Sequence, residues 1–331
     1  MNMGVLSGRS VVVTGAGRGL GRAYALHAAA SGAAVVVNDV DEAAAESVAA
    51  RIREDGGSAV SAAGSVADAD AAARIVDRCT AEFGGVDGLV NNAGIFHRAR
   101  PWEEDLDRIR SVVEVNVLGT VHCGLAAVAR MREQGSPGSV VNVTSGTHLG
   151  HPETAVYGAT KGAVASLTYG WALDLMPLGI RVNAVSPLAV TDMKLPPYEG
   201  HAAPEEVAAV VTFLLSDKAH GITGQVVRRA RRGLGLMRHP DIGEMAEADR
   251  WEVEEIDGAF RDALGPLQPV GYGAHRAAPE PSGAAHAEAS HTGASHAGAT
   301  APEPDAPERQ SPNPNRSPTQ APQPAVHGPQ P

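Results

Sequence analysis

Apolar runs rich in Val and Ile alternate along this chain with alanine-rich stretches of helical length. Residues 10–14, 33–39, 58–64, 87–91, 139–144, 180–185 and 225–227 read as seven short strands. Helical stretches lie between them near 20–31, 42–54, 68–83, 104–133, 154–176 and 204–215. The strands lack the alternation of a half-exposed sheet, so they suit a parallel sheet covered on both faces. Strand–helix alternation of this kind predicts an α/β doubly wound Rossmann fold, with a seven-stranded mostly parallel sheet and helices on both faces.

The first strand-to-helix turn reads Thr14-Gly15-Ala16-Gly17-Arg18-Gly19-Leu20-Gly21. Glycines there let the backbone approach a pyrophosphate, and the following helix offers free N–H groups and the positive end of its dipole. The turn therefore predicts a dinucleotide site. Asp39 closes the second strand about 20 residues further on, where a carboxylate accepts hydrogen bonds from the adenosine ribose hydroxyls and repels a 2′-phosphate. Arg18 pulls the other way, because it can pair with that phosphate. The acid sets the expectation of NAD, with NADP second.

Composition narrows the partners. The 331 residues carry a formal net charge of -11, against a nucleic-acid binder held by clustered basic groups. The longest apolar runs, such as 11–13 and 33–37, fall far short of the ~20 residues that span a bilayer. Residues 1–10 carry no secretory pattern. Cys79 and Cys123 make no disulfide framework and have no metal-site spacing. The expectation is a cytoplasmic protein with no metal, membrane or nucleic-acid partner.

From 273 to 331 the sequence turns to Ala, Pro, His, Ser, Glu, Gly and Gln, with Val326 its only strongly apolar residue. Such a segment cannot bury enough surface to offset chain entropy, so disorder is expected. His286, His291 and His296 recur in it at a spacing that puts no two on one helical turn. The expected organisation is one domain over 1–272, with a core at 5–230 and an extension at 231–272, and a tail at 273–331. In the extension, residues 250–264 suit an amphipathic helix with Trp251, Ile256, Phe260 and Leu264 on one face.

The glycine turn resembles that of the short-chain dehydrogenase/reductase family, and further motifs agree in order. They are Asn91-Asn92-Ala93-Gly94, Asn116 within Val115-Asn116-Val117, Ser145 after the fifth strand, and Tyr157-Gly158-Ala159-Thr160-Lys161. Arg181-Val182-Asn183-Ala184-Val185-Ser186-Pro187 resembles the sixth strand, and Gly221-Ile222-Thr223-Gly224-Gln225 the turn into the last. The resemblance covers about 5–230, and residues 21–26 and 37–39 look most like the hydroxyacyl-CoA and hydroxysteroid dehydrogenase branch.

The resemblance implies an NAD(P)-dependent oxidoreductase that interconverts a secondary alcohol and a ketone, with a small-molecule substrate. It implies a catalytic set of Ser145, Tyr157, Lys161 and Asn116. Implied cofactor contacts are Gly15, Arg18, Gly19, Leu20, Gly21, Asp39, Ser65, Val66, Asn92, Ala93, Gly94, Tyr157, Lys161, Pro187, Val190 and Thr191. It also implies a homodimer or homotetramer built on the helices near 104–133 and 154–176. Tyr157 and Lys161 stand four apart, so a helix projects both from one face. A free tyrosine, pKa ~10, is a poor base at neutral pH, and a neighbouring ammonium is expected to lower that value. Lys161 is one of only three lysines, with Lys194 and Lys218, among 27 basic residues.

Some positions depart from the family pattern. The serine usually lies thirteen residues before the tyrosine, where this chain has Thr144. Ser145 is the preferred hydroxyl, because Ser-Gly opens the loop as the strand ends, and Thr144 stays the alternative. His148 and His151 lie in that loop, as pocket-lining or solvated side chains. Pro187-Leu188 replaces the usual Pro-Gly, and the segment 190–203 is short, which implies an open pocket. Arg228-Arg229-Ala230-Arg231-Arg232-Gly233 replaces a glycine pair. It reads as a solvated basic turn or subunit contact, with a patch for an acidic substrate such as a CoA nucleotide as the alternative. The rival function is a non-catalytic nucleotide-sensing or scaffold protein on the same fold, with the tail as an interaction arm.

Overall fold

Alternate valines of the first strand face opposite layers of the core. Val11 and Val13 pack with Val35, Val37, Val141, Tyr24, Val48, Val207 and Leu214. Val12 packs with Val36, Leu89, Val140, Ile75, Cys123 and Met131. All of these side chains are buried. A strand apolar on both faces needs helices on both faces, and the chain supplies them. The structure is a computed structural model that describes residues 4–188, 202–230, 232–243 and 245–265.

In chain order the elements begin β1 Ser10–Val13, α1 Gly19–Ala30, β2 Ala34–Asp39, α2 Glu42–Glu54, β3 Ser58–Ala63, α3 Ala69–Phe83 and β4 Gly88–Asn91. There follow α4 Leu106–Val113, α5 Gly119–Gln134, β5 Gly138–Val143, α6 Ala155–Leu175, β6 Ile180–Leu188, α7 Pro204–Leu215, β7 Val226–Ala230, β8 Gly233–Leu236 and α8 Val253–Asp262. The sheet order is β3-β2-β1-β4-β5-β6-β7-β8. Pairing is parallel from β3 through β7. α1, α2 and α7 contribute to one core layer, and α3, α5 and α6 to the other.

The seven expected strands are present, and an eighth corrects the count. β8 returns antiparallel on β7, with Val227 opposite Leu236 and Ala230 opposite Gly233. Its Gly-Leu-Gly-Leu sequence is short, glycine-rich and exposed; the hairpin makes it a strand. The supposed basic turn at 228–232 is therefore largely strand: Arg228 and Arg229 belong to β7. β6 also runs further than expected, so Pro187 and Leu188 are strand residues opposite Arg229 and Ala230.

The stretch read as one helix at 104–133 is interrupted by a π turn at Glu114–Leu118. There the backbone comes close to the segment after β3: a Cβ on Gly119 would sit 2.5 Å from Val66 Cγ2. The whole run Leu106–Gln134 is long and apolar enough to cross a membrane. Its inward residues Cys123, Ala127 and Met131 instead belong to the core. α8 forms as expected, but none of its residues is buried. Val190, Thr191, Arg231, most of the segment 190–203 and the histidine-bearing tail lie outside the described residues.

Gly21 lets α1 start directly over the first turn. A Cβ there would lie 2.1 Å from the Gly15 carbonyl oxygen, a backbone atom with nowhere to move. Gly21→Ala is expected to destabilise the protein by about 3 kcal/mol. Urea unfolding of the two proteins measures this, and an unchanged midpoint would contradict the packing.

Candidate active site

The sheet changes winding direction between β1 and β4, which leaves a crevice at the carboxyl ends of those strands. Thr14 and Asn92 close its floor. Thr14 Oγ1 accepts the N–H groups of Asn92 (3.0 Å) and Ala93 (3.1 Å). Asn92 Nδ2 donates to the carbonyls of Thr14 and Gly15, both at 2.9 Å. Gly15 has φ 60°, and a Cβ there would meet Ala93 Cα at 2.8 Å, so the position demands glycine twice over.

Arg18 precedes α1 in an extended conformation, its side chain does not cap the helix, and no acid stands in the first turn. Space at Gly19 is open. Unclaimed N–H groups at an open helix start fit the phosphates of a dinucleotide. Asp39 ends β2 with Oδ2 accepting the Gly17 N–H (2.9 Å) and Oδ1 the Asp41 N–H (3.2 Å). Each oxygen keeps a lone pair for another donor. Ser65 and Val66 follow β3, and the Val66 carbonyl accepts His122 Nδ1 at 3.0 Å. Pro187 lies near the carboxyl end of β6. These residues and Ala93 line the same end of the sheet.

Tyr157 and Lys161 both project from α6, and both are buried. Lys161 Nζ lies 5.8 Å from the Tyr157 ring centroid and donates to the Val143 carbonyl at 2.9 Å. Burial pushes the phenol up to about 12, against a downward pull from its hydrogen bond with Ser145. Burial also brings Lys161 down to about 8. The ammonium was expected to govern the phenol; in this protein desolvation governs both, and Ser145 is the group that draws the phenol down.

The two candidate hydroxyls point to different partners. Thr144 Oγ1 is buried and donates to the Lys161 carbonyl at 2.7 Å. Ser145 bonds Tyr157 and accepts the Thr147 hydroxyl at 3.0 Å. Asn116 sits in the π turn, fully buried. Its Oδ1 accepts the Ile95 N–H (2.8 Å), and its Nδ2 donates to the Ile95 carbonyl (3.0 Å) and to Thr160 Oγ1 (3.1 Å). A Cβ on Gly94 would lie 3.2 Å from Asn116 Oδ1 and 3.4 Å from Lys161 Nζ, so these three adjoin. His148 donates from Nδ1 to the Ser145 carbonyl. His151 is exposed and bonds the Pro152 carbonyl. Arg228 donates to the Ser186 carbonyl (3.1 Å) and hydroxyl (2.9 Å) at the end of β6.

Several contributors escaped the sequence reading. Thr14, Thr147 and Thr160 act through side-chain hydroxyls and Val143 through its carbonyl, and no motif spells out these roles. Phe96 carried a signal: it is one of only four phenylalanines and follows the Asn-Asn-Ala-Gly motif by two residues. Its ring meets Tyr157 edge-on at 4.9 Å.

The pattern of the short chain dehydrogenase family matches residues 9–197. Cis-4-hydroxycyclohexanecarboxylate dehydrogenase of Sinomonas cyclohexanicum is 39% identical over 236 residues, covering 66% of this chain and 94% of that protein. A short chain dehydrogenase from Mycobacterium avium superposes with a TM-score of 0.75 at 34% identity, covering 81% of this chain and 98% of its own. A gluconate 5-dehydrogenase from Burkholderia cenocepacia, solved with NADP and tartrate, gives 0.64 at 32%, covering 68% and 94%. The chain belongs to the short-chain dehydrogenase/reductase family. It is an NAD(P)-dependent oxidoreductase that interconverts an alcohol and a ketone. The scaffold alternative finds no support among these relatives.

Lys161 carries a titration that stability can read. Its folded value is about 8, against 10.5 for an ordinary lysine. Below pH 8 both folded and unfolded chains are protonated here, and the cost of the buried ammonium is present in full. Between 8 and 10.5 the unfolded chain binds more protons, so this group makes stability rise with pH. Lys161→Met removes the titration while Tyr157 remains in both proteins. From about pH 7 to pH 10.5 the wild type should gain about 3 kcal/mol on the variant in urea unfolding. A difference constant with pH would contradict the burial of that charge.

Proposed function

We propose that this enzyme is NAD-preferring and works on its alcohol or ketone through Tyr157, Lys161, Ser145 and Asn116. The observation that carries the reading is the Ser145–Tyr157–Lys161 cluster, with its tyrosine and lysine buried, at the same end of the sheet as the glycine turn. The Tyr157 phenol exchanges the proton of the substrate oxygen: it accepts it in oxidation and returns it in reduction. Ser145 hydrogen-bonds the same oxygen and steadies charge that develops there. The Lys161 ammonium favours the phenolate once the proton has moved. Asn116 bonds the Ile95 backbone and adjoins Gly94 and that ammonium, and the family resemblance gives it a supporting part in proton relay. The nicotinamide, when bound, supplies the hydride acceptor or donor.

The residues given as cofactor contacts would hold the dinucleotide, with its phosphates at Gly15–Gly21 and its adenosine ribose at Asp39. Two backbone N–H groups fix the Asp39 charge at the end of β2, and that charge supports NAD over the NADP carried by the Burkholderia cenocepacia relative. The exposed Leu118, Leu125, Leu173 and Met176 on α5, α6 and their flanks support a homo-oligomer. We read residues 1–272 as the catalytic domain and 273–331 as a separate tail. Two buried free cysteines suit a cytoplasmic setting, and the substrate is a small-molecule secondary alcohol or its ketone.

Absorbance of the reduced cofactor, followed with a panel of secondary alcohols, tests this. Wild type should turn over with NAD better than NADP. Tyr157→Phe and Ser145→Ala should each lose about 100-fold or more, whereas Thr144→Val keeps most activity. Asp39→Ala should relax the NAD preference. Loss confined to Thr144→Val, or a wild type that favours NADP, would contradict the assignments.

A further inference from the structure

Glu153 is the one non-glycine residue with left-handed backbone among the described residues, at φ 61°. A glutamate adopts that conformation only where its surroundings impose it. It stands four residues before Tyr157, at the base of α6. From that turn it reaches a single neighbour, the stretch 98–100 of the loop after β4. Its carbonyl accepts the Ala99 N–H at 2.8 Å. Its Oε2 accepts Arg98 Nε at 2.6 Å, and its Oε1 lies 3.3 Å from Arg100 Nε.

That neighbouring loop runs from the crevice to α4 with no regular secondary structure, yet it carries Phe96 against the Tyr157 ring. Its other fastenings run to Asn116, to α4 and within the loop itself. Asn116 holds Ile95, Arg108 of α4 donates to the Phe96 carbonyl at 3.2 Å, and His97 Nε2 donates to Glu104 at 2.5 Å. Among the described residues, Glu153 alone hydrogen-bonds the loop to the turn that opens α6. An isolated exposed ion pair does little. Here two guanidiniums share one half-buried carboxylate whose backbone is already fixed by a third bond.

We propose that Glu153 is a positioning residue, a clasp that joins residues 98–100 to the base of α6 and so holds Phe96 as an aromatic wall beside the reacting phenol. The inference rests on the role of Tyr157 given above. An apolar ring at that place favours alcohols that carry an apolar ring or branch on the carbinol over small or polyhydroxylated ones. Opening the clasp frees the wall without touching the proton-transfer groups or the glycine turn.

The test pairs Glu153→Gln, which keeps size but removes charge, with Glu153→Gly, which removes every side-chain bond while suiting the left-handed backbone. KM for cyclohexanol should rise about tenfold in the glycine variant, and less in the glutamine variant. KM for 2-propanol and for the cofactor should stay put. Amide hydrogen exchange over 95–100 should quicken in both. A purely structural role would instead raise the cofactor KM and lower the unfolding midpoint. Unchanged cyclohexanol KM, or unchanged exchange over 95–100, overturns the clasp. If the wild type oxidises no secondary alcohol, the reading of the reaction fails, and exchange alone then decides the clasp.

Discussion

The threonine hydroxyl at the end of β1 ties together two chain segments that the topology sends in opposite directions. Thr14 Oγ1 takes the N–H groups of Asn92 and Ala93, and Asn92 returns two bonds to the carbonyls of Thr14 and Gly15. Without these bonds the crevice at the winding reversal would be a gap between two loops with unsatisfied backbone groups. With them, the glycine turn on one side and Gly94 on the other become a single surface. Gly94 in turn adjoins Asn116 and Lys161, so the stitch links the proposed cofactor seat to the proposed reacting residues.

Chemistry at the far side of that surface depends on taking charge out of water. A buried lysine and a buried tyrosine are both pushed towards their neutral forms. The fold tolerates this because each polar atom has a partner: Val143 for the ammonium and Ser145 for the phenol. Up to about pH 8 the pair therefore still rests as phenol and ammonium.

How much of this the sequence shows differs by level. Seven strands, their parallel order and the glycine turn are legible because continuous valine runs and glycine spacing are local consequences of burial and close approach. β8 is not, since its leucines stay exposed and only the hairpin defines it. Residues of the site are legible as a set, but their partners are not. Ser145 and Thr144 are adjacent hydroxyls in sequence, and only the pleat decides that one meets Tyr157 and the other the Lys161 carbonyl. The π turn that carries Asn116 and the left-handed turn at Glu153 leave no periodic trace, because each is fixed by contacts far along the chain.

The Thr14–Asn92 stitch is expected to hold the proposed cofactor seat. Calorimetric titration of NAD onto the wild type and Thr14→Val tests it directly. The substitution keeps the shape of the side chain and removes the oxygen that accepts two backbone N–H groups, each costly to leave unpaired. Binding should weaken by about tenfold or more in a variant that still folds. Equal affinity in the two proteins would contradict it.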